Sequence, residues 1–180
     1  ERETRSSFEV EFYDPFYTEP SERSIAMAHH TIDEGASIVI QHHPHVLQGL
    51  EFYNGKLIAH SLGNFVFDQN FPETFPSMIL NAEYDETGFF GYQIVPVYLH
   101  YYLPQIATGN LANYILDYMA MKSRKLDTYV KVDRENHIGE VVFDAPYFSY
   151  STDVEVNFQT DSIVQFISDP IQLNKLHHVV

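Results

Sequence analysis

The chain has 180 residues, a formal net charge of −15 with histidine neutral, and no cysteine. This length can bury the core of one domain, or of one domain and a small appendage. The negative charge argues against nucleic acid or an anionic membrane surface as the main partner, and the lack of cysteine excludes disulfides and thiolate metal sites. No apolar run approaches transmembrane length, so no membrane span is expected in this chain.

The first part of the chain predicts one helix. Residues 8–12 alternate loosely like a strand, and an aromatic loop with two prolines follows them. Ser21 is suited to cap a helix, and Gly35 is suited to end it. The apolar stripe of this helix consists of Ile25, Ala28 and Ile32. We expect His29 and His30 to be helix-surface residues.

A histidine cluster lies at the end of the next predicted strand. Residues 37–41 are rich in β-branched side chains and almost uncharged, which predicts a strand buried on both faces. Pro44 pushes His43 toward an extended backbone, in which His43 and His45 point to one side and His42 to the other. Two adjacent neutral imidazoles suit Zn, Mn or Fe. The alternative is a set of surface or hydrogen-bonded histidines with no ligand.

Strands dominate the pattern from residue 46 to residue 98. The predicted strands cover residues 46–53, 56–60, 65–67, 78–84 and 89–98. Asn54-Gly55 joins the first two as a tight hairpin, because both positions accept positive φ. Ser61 and Asn64 lie in a turn around Gly63, where they can bind a neighbour or a ligand. Pro96 predicts an edge strand or a bulge.

From Pro104 onward the pattern changes to a helix and further strands. Asn110 is a candidate cap for a helix whose apolar stripe we interpret as core packing. That stripe consists of Leu111, Tyr114, Ile115, Tyr118, Met119 and Lys122. Residues 129–132, 138–143 and 154–158 predict strands, and residues 162–167 a short helix or strand.

Several spaced motifs in residues 11–68 together resemble the C-terminal part of a CapA-type protein, of the poly-γ-glutamate capsule synthesis family in the calcineurin-like metallophosphatase superfamily. The motifs are Glu11-Phe12-Tyr13, Gln41-His42-His43-Pro44-His45-Val46-Leu47-Gln48-Gly49, Tyr53-Asn54-Gly55-Lys56 and Ser61-Leu62-Gly63-Asn64-Phe65. The resemblance implies an α/β fold: the C-terminal part of an α/β/β/α sandwich, with mixed sheets that are mainly antiparallel after residue 46. It makes residues 1–100 the C-terminal half of a metallophosphatase-like domain. Residues 101–180 are then an appended helix plus β segment packed on the same domain.

The resemblance also implies a centre of two divalent metal ions (Mn, Zn or Fe) in the intact protein, with His43 and His45 as ligands. Such centres clamp a phosphoryl group and lower the pKa of a bridging water. Gln41 stands where the superfamily motif usually has glycine. The earlier metal motifs of the superfamily have no counterpart in this sequence. The chain is therefore expected to be the C-terminal piece of a longer protein and to be inactive alone.

Four further residues receive roles from the same resemblance. His42 and Asn64 are expected to support catalysis beside the metal ligands, and Ser61 and Glu11 to contact substrate. The expected partners are an anionic polymer or a phosphorylated substrate, together with other capsule-synthesis components. The expected location is the bacterial cell surface, with membrane attachment through a segment not in this chain.

Three functions follow as hypotheses. The first is a role in the biosynthesis of capsule or another cell-surface polymer, with a metal centre that uses the His-His-Pro-His motif. The second is a metal-dependent phosphoesterase that acts on a small phosphorylated or lipid-linked substrate. The third is a non-catalytic scaffold that has lost its metal centre. Whether the intact protein is a hydrolase stays open at this point.

Overall fold

The computed structural model describes residues 17–143. Its helices are α1 (Glu22–Asp33) and α2 (Gly109–Arg124), with one 3-10 turn at Pro72–Thr74. Its strands are β1 (Val39–Ile40), β2 (Leu50–Tyr53), β3 (Lys56–Ala59), β4 (Pro76–Asp85), β5 (Gly88–His100), β6 (Leu103–Ile106), β7 (Tyr129–Asp133) and β8 (Ile138–Val142). Glu11 and the predicted elements at residues 8–12, 154–158 and 162–167 lie outside the described residues.

A small mixed sheet carries helix α1 on one face. Its strand order is β1-β3-β2, with β1 parallel and β2 antiparallel to β3. Ala28 and Ile32 of α1 pack against Ile58 of β3. The helix begins as predicted, because the Ser21 hydroxyl accepts a hydrogen bond from the Ser24 backbone N–H at 3.1 Å. The predicted hairpin at residues 54–55 is also confirmed, with positive φ at both positions.

The second sheet is antiparallel and has the order β4-β5-β8-β7, with β6 also paired to β5. Pro96 therefore lies in an interior strand, so the edge-strand prediction is wrong. Met78 of β4 is the partner of Pro96, and its N–H points away from β5 to the Leu62 carbonyl. In such a pair the Pro96 nitrogen likewise points away from β4, toward the other side of β5. There the β8 pairing ends at Ile94 and the β6 pairing begins at Val97, so no ladder bond is lost.

Helix α2 packs against both sheets. Ile115, Leu116 and Met119 are fully buried in one core that also holds Leu57 of β3 and Ile94 of β5. This burial confirms that the apolar stripe of α2 is core packing. Mixed sheets, mainly antiparallel strands after residue 46 and a helix against each sheet confirm the predicted α/β class, and they are consistent with part of a metallophosphatase-like sandwich.

The outer edge of β2 is covered by the end of α2 and by the turn after it. The Leu50 N–H donates to the Ser123 hydroxyl at 3.0 Å, and the Phe52 N–H donates to the Thr128 hydroxyl at 2.8 Å. These are backbone donors that an uncovered edge would leave unpaired. Side chains from α2 and its following turn therefore take the place of a neighbouring strand.

Two strand predictions near the histidine cluster are wrong. Only Val39 and Ile40 of the predicted 37–41 strand pair, and Ile40 is 48% exposed. In the described part of the chain, β1 has β3 as its single neighbour, so its other edge is uncovered. Residues 65–67 form no strand and their side chains are exposed, because no strand edge of the described segment lies beside them. Neither helix among residues 17–143 is long and apolar enough to cross a membrane.

We expect Gly49→Ala to destabilise the protein by about 1–3 kcal/mol. A β-carbon at position 49 would lie 2.7 Å from the Lys122 carbonyl oxygen and 2.9 Å from a methyl group of Leu126. Backbone at the end of α2 cannot move aside as a flexible side chain can. Urea unfolding measures the loss. The double variant Gly49→Ala/Leu126→Ala relieves only the side-chain contact and should not recover the stability; recovery would show that the backbone contact is harmless.

Candidate metal and ligand site at the ends of strands β1 and β3

Two loops that carry the predicted site residues leave the small sheet at the same edge. Strands β1 and β3 are parallel neighbours, so their carboxyl ends lie side by side. The loop after β1 carries His42, His43 and His45, and the loop after β3 carries Ser61 and Asn64. The topology thus brings the predicted residues of both loops together.

The loop after β1 is bent, which corrects the predicted extended geometry. His43 has φ +105° and His45 has φ +65°. The bend returns the chain to the sheet, where Leu47 forms a bridge with Leu62 of the second loop. An extended chain would continue away from that partner. Positive φ costs about 1–3 kcal/mol for a residue with a side chain, so the surrounding structure must hold this loop in place.

The rings of His43 and His45 are close in space in spite of the bend. Their centroids are 6.0 Å apart and their planes are tilted by 48°. His42 and His43 are exposed, while His45 is half-buried under the ring of Phe67, whose centroid lies 4.7 Å away. Two imidazoles at this separation face solvent together at the end of β1.

Asn64 fixes the orientation of the His45 ring. The Asn64 carbonyl oxygen lies 2.8 Å from Nδ1 of His45, and the Asn64 amide nitrogen donates to the Gln69 side-chain oxygen at 3.1 Å. Because the amide nitrogen is used as a donor to Gln69, the oxygen is left to accept, and His45 Nδ1 carries the proton. The lone pair of the neutral ring is then on Nε2. A hydrogen bond of this kind is the usual support of a histidine ligand.

Ser61 is placed differently from the other predicted residues. Its side chain is buried, with 1% of the residue exposed, and its hydroxyl accepts a hydrogen bond from the Gly63 N–H at 3.3 Å. Its carbonyl oxygen accepts from the Gln48 N–H at 3.1 Å. These contacts hold the second loop in its turn, and substrate contact by Ser61 stays a prediction.

The donor set at this edge consists of two imidazoles. Among residues 17–143, no three side chains of His, Asp or Glu come together as a group that could hold a metal ion. His43 and His45 fit a metal as neutral nitrogen donors, because the rings are adjacent and Nε2 of His45 is unprotonated when the ring is neutral.

A buried polar network behind the loops was missed in the sequence. Glu51 of β2 contacts two histidines through one oxygen each: Nε2 of His29 at 2.5 Å and Nε2 of His60 at 2.8 Å. His60 also contacts the side-chain oxygen of Gln41 at 3.0 Å. His29 is therefore half-buried and paired, and not a free surface residue as predicted. The available signal was Glu51, a carboxylate within an otherwise apolar strand.

Glu51 is the charged centre of this network. Burial tends to raise the pKa of its carboxyl, but hydrogen bonds from His60 and His29, and the charge that these rings carry when protonated, lower the pKa overall. The carboxylate form is thus favoured in the folded protein. The network lies directly behind the ends of β1 and β3, from which the two site loops leave.

Comparison with known proteins gives matches to the segment that contains both loops. The family described as Bacterial capsule synthesis protein PGA_cap matches residues 11–69, which include both loops. The chain is 39% identical over 82 residues to the PGA biosynthesis protein CapA of Bacillus subtilis (strain 168), a match that covers 46% of this chain and 22% of that protein. It is 38% identical over 92 residues to the capsule biosynthesis protein CapA of Bacillus anthracis, covering 51% of this chain and 22% of that protein.

The matched part spans about a fifth of the length of these curated relatives. It nevertheless contains the loop after β1, the hairpin and the loop after β3 in one continuous segment. The predicted resemblance is confirmed there: over residues 11–69 the chain is similar to CapA-type capsule synthesis proteins.

Proposed function

We propose that this chain is part of a protein that acts in the biosynthesis of capsule or a related cell-surface polymer, of the poly-γ-glutamate type. The support is the match of residues 11–69 to capsule synthesis proteins, together with the relatives named CapA. The matched segment contains the two loops at one edge of the small sheet. The proposed setting is the bacterial cell surface, with an anionic polymer or its phosphorylated precursor as the partner.

We propose further that His43 and His45 bind a divalent metal ion in the intact protein. The observation that carries this step is the hydrogen bond from Nδ1 of His45 to Asn64, which leaves the lone pair of the neutral ring on Nε2, while the centroid of the His43 ring lies 6.0 Å from that of the His45 ring. A metal ion there would supply Lewis-acid polarisation of a phosphoryl or carbonyl oxygen. Asn64 holds the ring of His45, and His42 is exposed on the same loop. We propose that His42 acts beside the metal ligands.

Titration of the 180-residue chain with Mn²⁺ or Zn²⁺ tests the metal proposal. We expect weak binding to one site, because two imidazoles are an incomplete donor set. His43→Ala and His45→Ala should each abolish the calorimetric signal. His30→Ala is the matched control, since His30 is exposed on α1, away from the loops. Equal binding by all three variants would contradict ligation by the loop histidines.

Asn64→Leu should weaken metal binding by about 10–100-fold, the usual effect of removing the partner of a histidine ligand. Leucine is similar in size but cannot accept the His45 Nδ1–H, so the ring loses its fixed orientation. Calorimetry at constant pH measures the change. Gln69→Leu is the control, because it removes the bond to Asn64 but leaves the bond to His45 in place. Unchanged affinity in Asn64→Leu would contradict the orienting role.

The phosphoesterase hypothesis predicts a different measurable activity. A protein that contains this chain and its remaining metal ligands should then hydrolyse a phosphomonoester or a lipid-linked pyrophosphate in the presence of Mn²⁺ or Zn²⁺. His43→Ala should remove that activity. Loss of surface polymer without any such hydrolysis would favour polymer synthesis over phosphoester chemistry.

A further inference from the structure

The most constrained group in the described structure is the side chain of His60, which lies immediately after β3 and is 0% exposed. Both of its ring nitrogens have partners. Nδ1 lies 3.0 Å from the Gln41 side-chain oxygen, and Nε2 lies 2.8 Å from Oε2 of Glu51. A buried ring with both nitrogens engaged has its protons determined by what those partners can accept.

The partner at Nδ1 can only accept. The Gln41 amide nitrogen donates to the Ser24 carbonyl oxygen at 3.0 Å, and that oxygen has no hydrogen to give. This bond fixes the orientation of the amide, so the Gln41 oxygen faces His60. The same oxygen accepts from the Ser24 hydroxyl at 2.8 Å. His60 Nδ1 therefore carries a proton.

The partner at Nε2 is the carboxyl group of Glu51. Glu51 is 8% exposed, and its other oxygen is engaged by Nε2 of His29. One proton lies in the hydrogen bond between Nε2 of His60 and Oε2 of Glu51, whichever of the two atoms holds it. Side chains of the network therefore hold both ring nitrogens of His60.

We propose that His60, which donates its Nδ1–H to Gln41 and is held at Nε2 by Glu51, positions the loop that carries His42, His43 and His45. The bond between His60 and Gln41 joins the ends of the two parallel strands from which the site loops leave. Gln41 immediately precedes the loop, and its N–H donates to the Ala59 carbonyl at 2.8 Å. The His60 N–H donates to the Gly49 carbonyl at 3.3 Å, near the end of the same loop.

The two bonds of the His60 ring have a structural consequence for the loop. Nδ1 donates to the Gln41 side-chain oxygen at 3.0 Å, and the ring cannot rotate without losing this bond and the bond to Glu51. Gln41 is thereby held at the point where the chain leaves β1 and enters the strained bend at His43. His60 is thus a positioning residue for the predicted ligand loop. This positioning role concerns the conformation of the loop. It rests on the proposed function only for the identity of the ligand that the loop binds.

The titratable groups that face this pair are few. His29 approaches Glu51 from α1, and its ring stacks on Tyr53 with 3.8 Å between centroids. The Tyr53 hydroxyl donates to Asp33 at the end of α1. Gln41 and Ser24 are neutral partners.

Nitrogen-detected NMR of the histidine rings in the full 180-residue chain tests the hydrogen bond to Gln41. We expect Nδ1 of His60 to show the signal of a protonated nitrogen whose proton exchanges slowly with solvent, while the exposed ring of His30 serves as the reference. An unprotonated Nδ1 of His60 in the wild-type protein overturns the proposal, and this result needs no variant that must fold.

Backbone NMR tests the positioning. In Glu51→Gln we expect amide shift changes and line broadening concentrated at residues 41–46, with Glu140→Gln as control because Glu140 is an exposed carboxylate. Unchanged signals at residues 41–46 would overturn the positioning role, as would broadening spread evenly over both sheets, which indicates general destabilisation. None of these readouts uses a metal ion. A failure of the metal proposal is therefore distinguishable from a failure of this one.

Discussion

Glu51→Ala should lower the free energy of unfolding by about 3 kcal/mol at neutral pH, the lower end of the range for breaking a buried pair. The variant leaves His60 buried with no anion beside it and removes the partner of His29. Urea unfolding measures the effect. Glu140→Ala is the matched control, because Glu140 is exposed and its contact with Lys131 spans 3.5 Å. Equal losses in both variants would contradict the buried pair.

The same pair predicts a pH dependence with a definite sign. The folded-state pKa of Glu51 is lowered, so its carboxylate contributes stability above the unfolded-state pKa, about 4.3 for glutamate. That contribution is lost as the pH falls through the lower folded-state pKa. The stability difference between wild-type and Glu51→Gln should therefore shrink as the pH falls from 5 toward about 3. A difference that grows with acidity would contradict this sign.

The pKa of Glu19 is lowered by its ion pairs in the same way as that of Glu51. Burial raises the pKa of Glu19, but hydrogen bonds and charges from Lys122 and Lys125 lower it overall. Lys122 is buried on α2 and contacts Glu19 at 2.7 Å, so the segment before α1 is fastened to the second helix. Lys122 belongs to the apolar stripe in the sequence pattern. Its buried stem and paired charge explain how a lysine fits there.

Elements that local chemistry defines could be predicted from the sequence. Helix α1 follows from the Ser21 cap and a 3.6-residue stripe, and the β2–β3 hairpin follows from Asn54-Gly55. Strands β7 and β8 were also predicted, within one residue of their observed bounds. In each case the deciding contacts lie within a few residues along the chain.

Features that depend on distant partners could not be predicted in the same way. Pro96 occupies an interior strand because a gap between β8 and β6 faces its nitrogen, and no local pattern records that gap. The bend at His43 depends on the bridge between Leu47 and Leu62. The triplet at residues 65–67 has strand composition but no neighbouring edge in the described segment.

In the candidate site, too, some residues could be predicted from the sequence and others could not. The histidine motif and Asn64 stand out in the sequence, and the structure brings His45 and Asn64 into contact. The groups behind them do not stand out, because Ser24, Gln41 and His60 are separated by up to 36 positions and meet only through the β1–β3 pairing. The roles of His42, Ser61 and Glu11, the metal ions and the boundary at residue 100 remain predictions.

Leu116→Ala should have an effect of about 2–5 kcal/mol, the usual cost of emptying a fully buried leucine site. Leu116 is 0% exposed and lies in the core that contains Leu57 of the small sheet and Ile94 of the large sheet. The β-carbon that would replace the Gly139 hydrogen would lie 3.1 Å from a Leu116 methyl, so backbone of β8 already packs against this side chain. The surrounding residues therefore have little room to move into the cavity that the alanine would leave.

The distribution of the loss tests the boundary at residue 100. Because α2 contributes to one core with both sheets, Leu116→Ala should lower amide-exchange protection at Leu57 and Ile94 by similar factors. Met27→Ala is the control, since Met27 is exposed on α1 and should change neither. Reduced protection at Ile94 with unchanged protection at Leu57 would show that the two sheets open separately. Residues from 101 onward would then be an appendage to the second sheet, while equal losses would make α2 an integral part of a single cooperative unit with the candidate site.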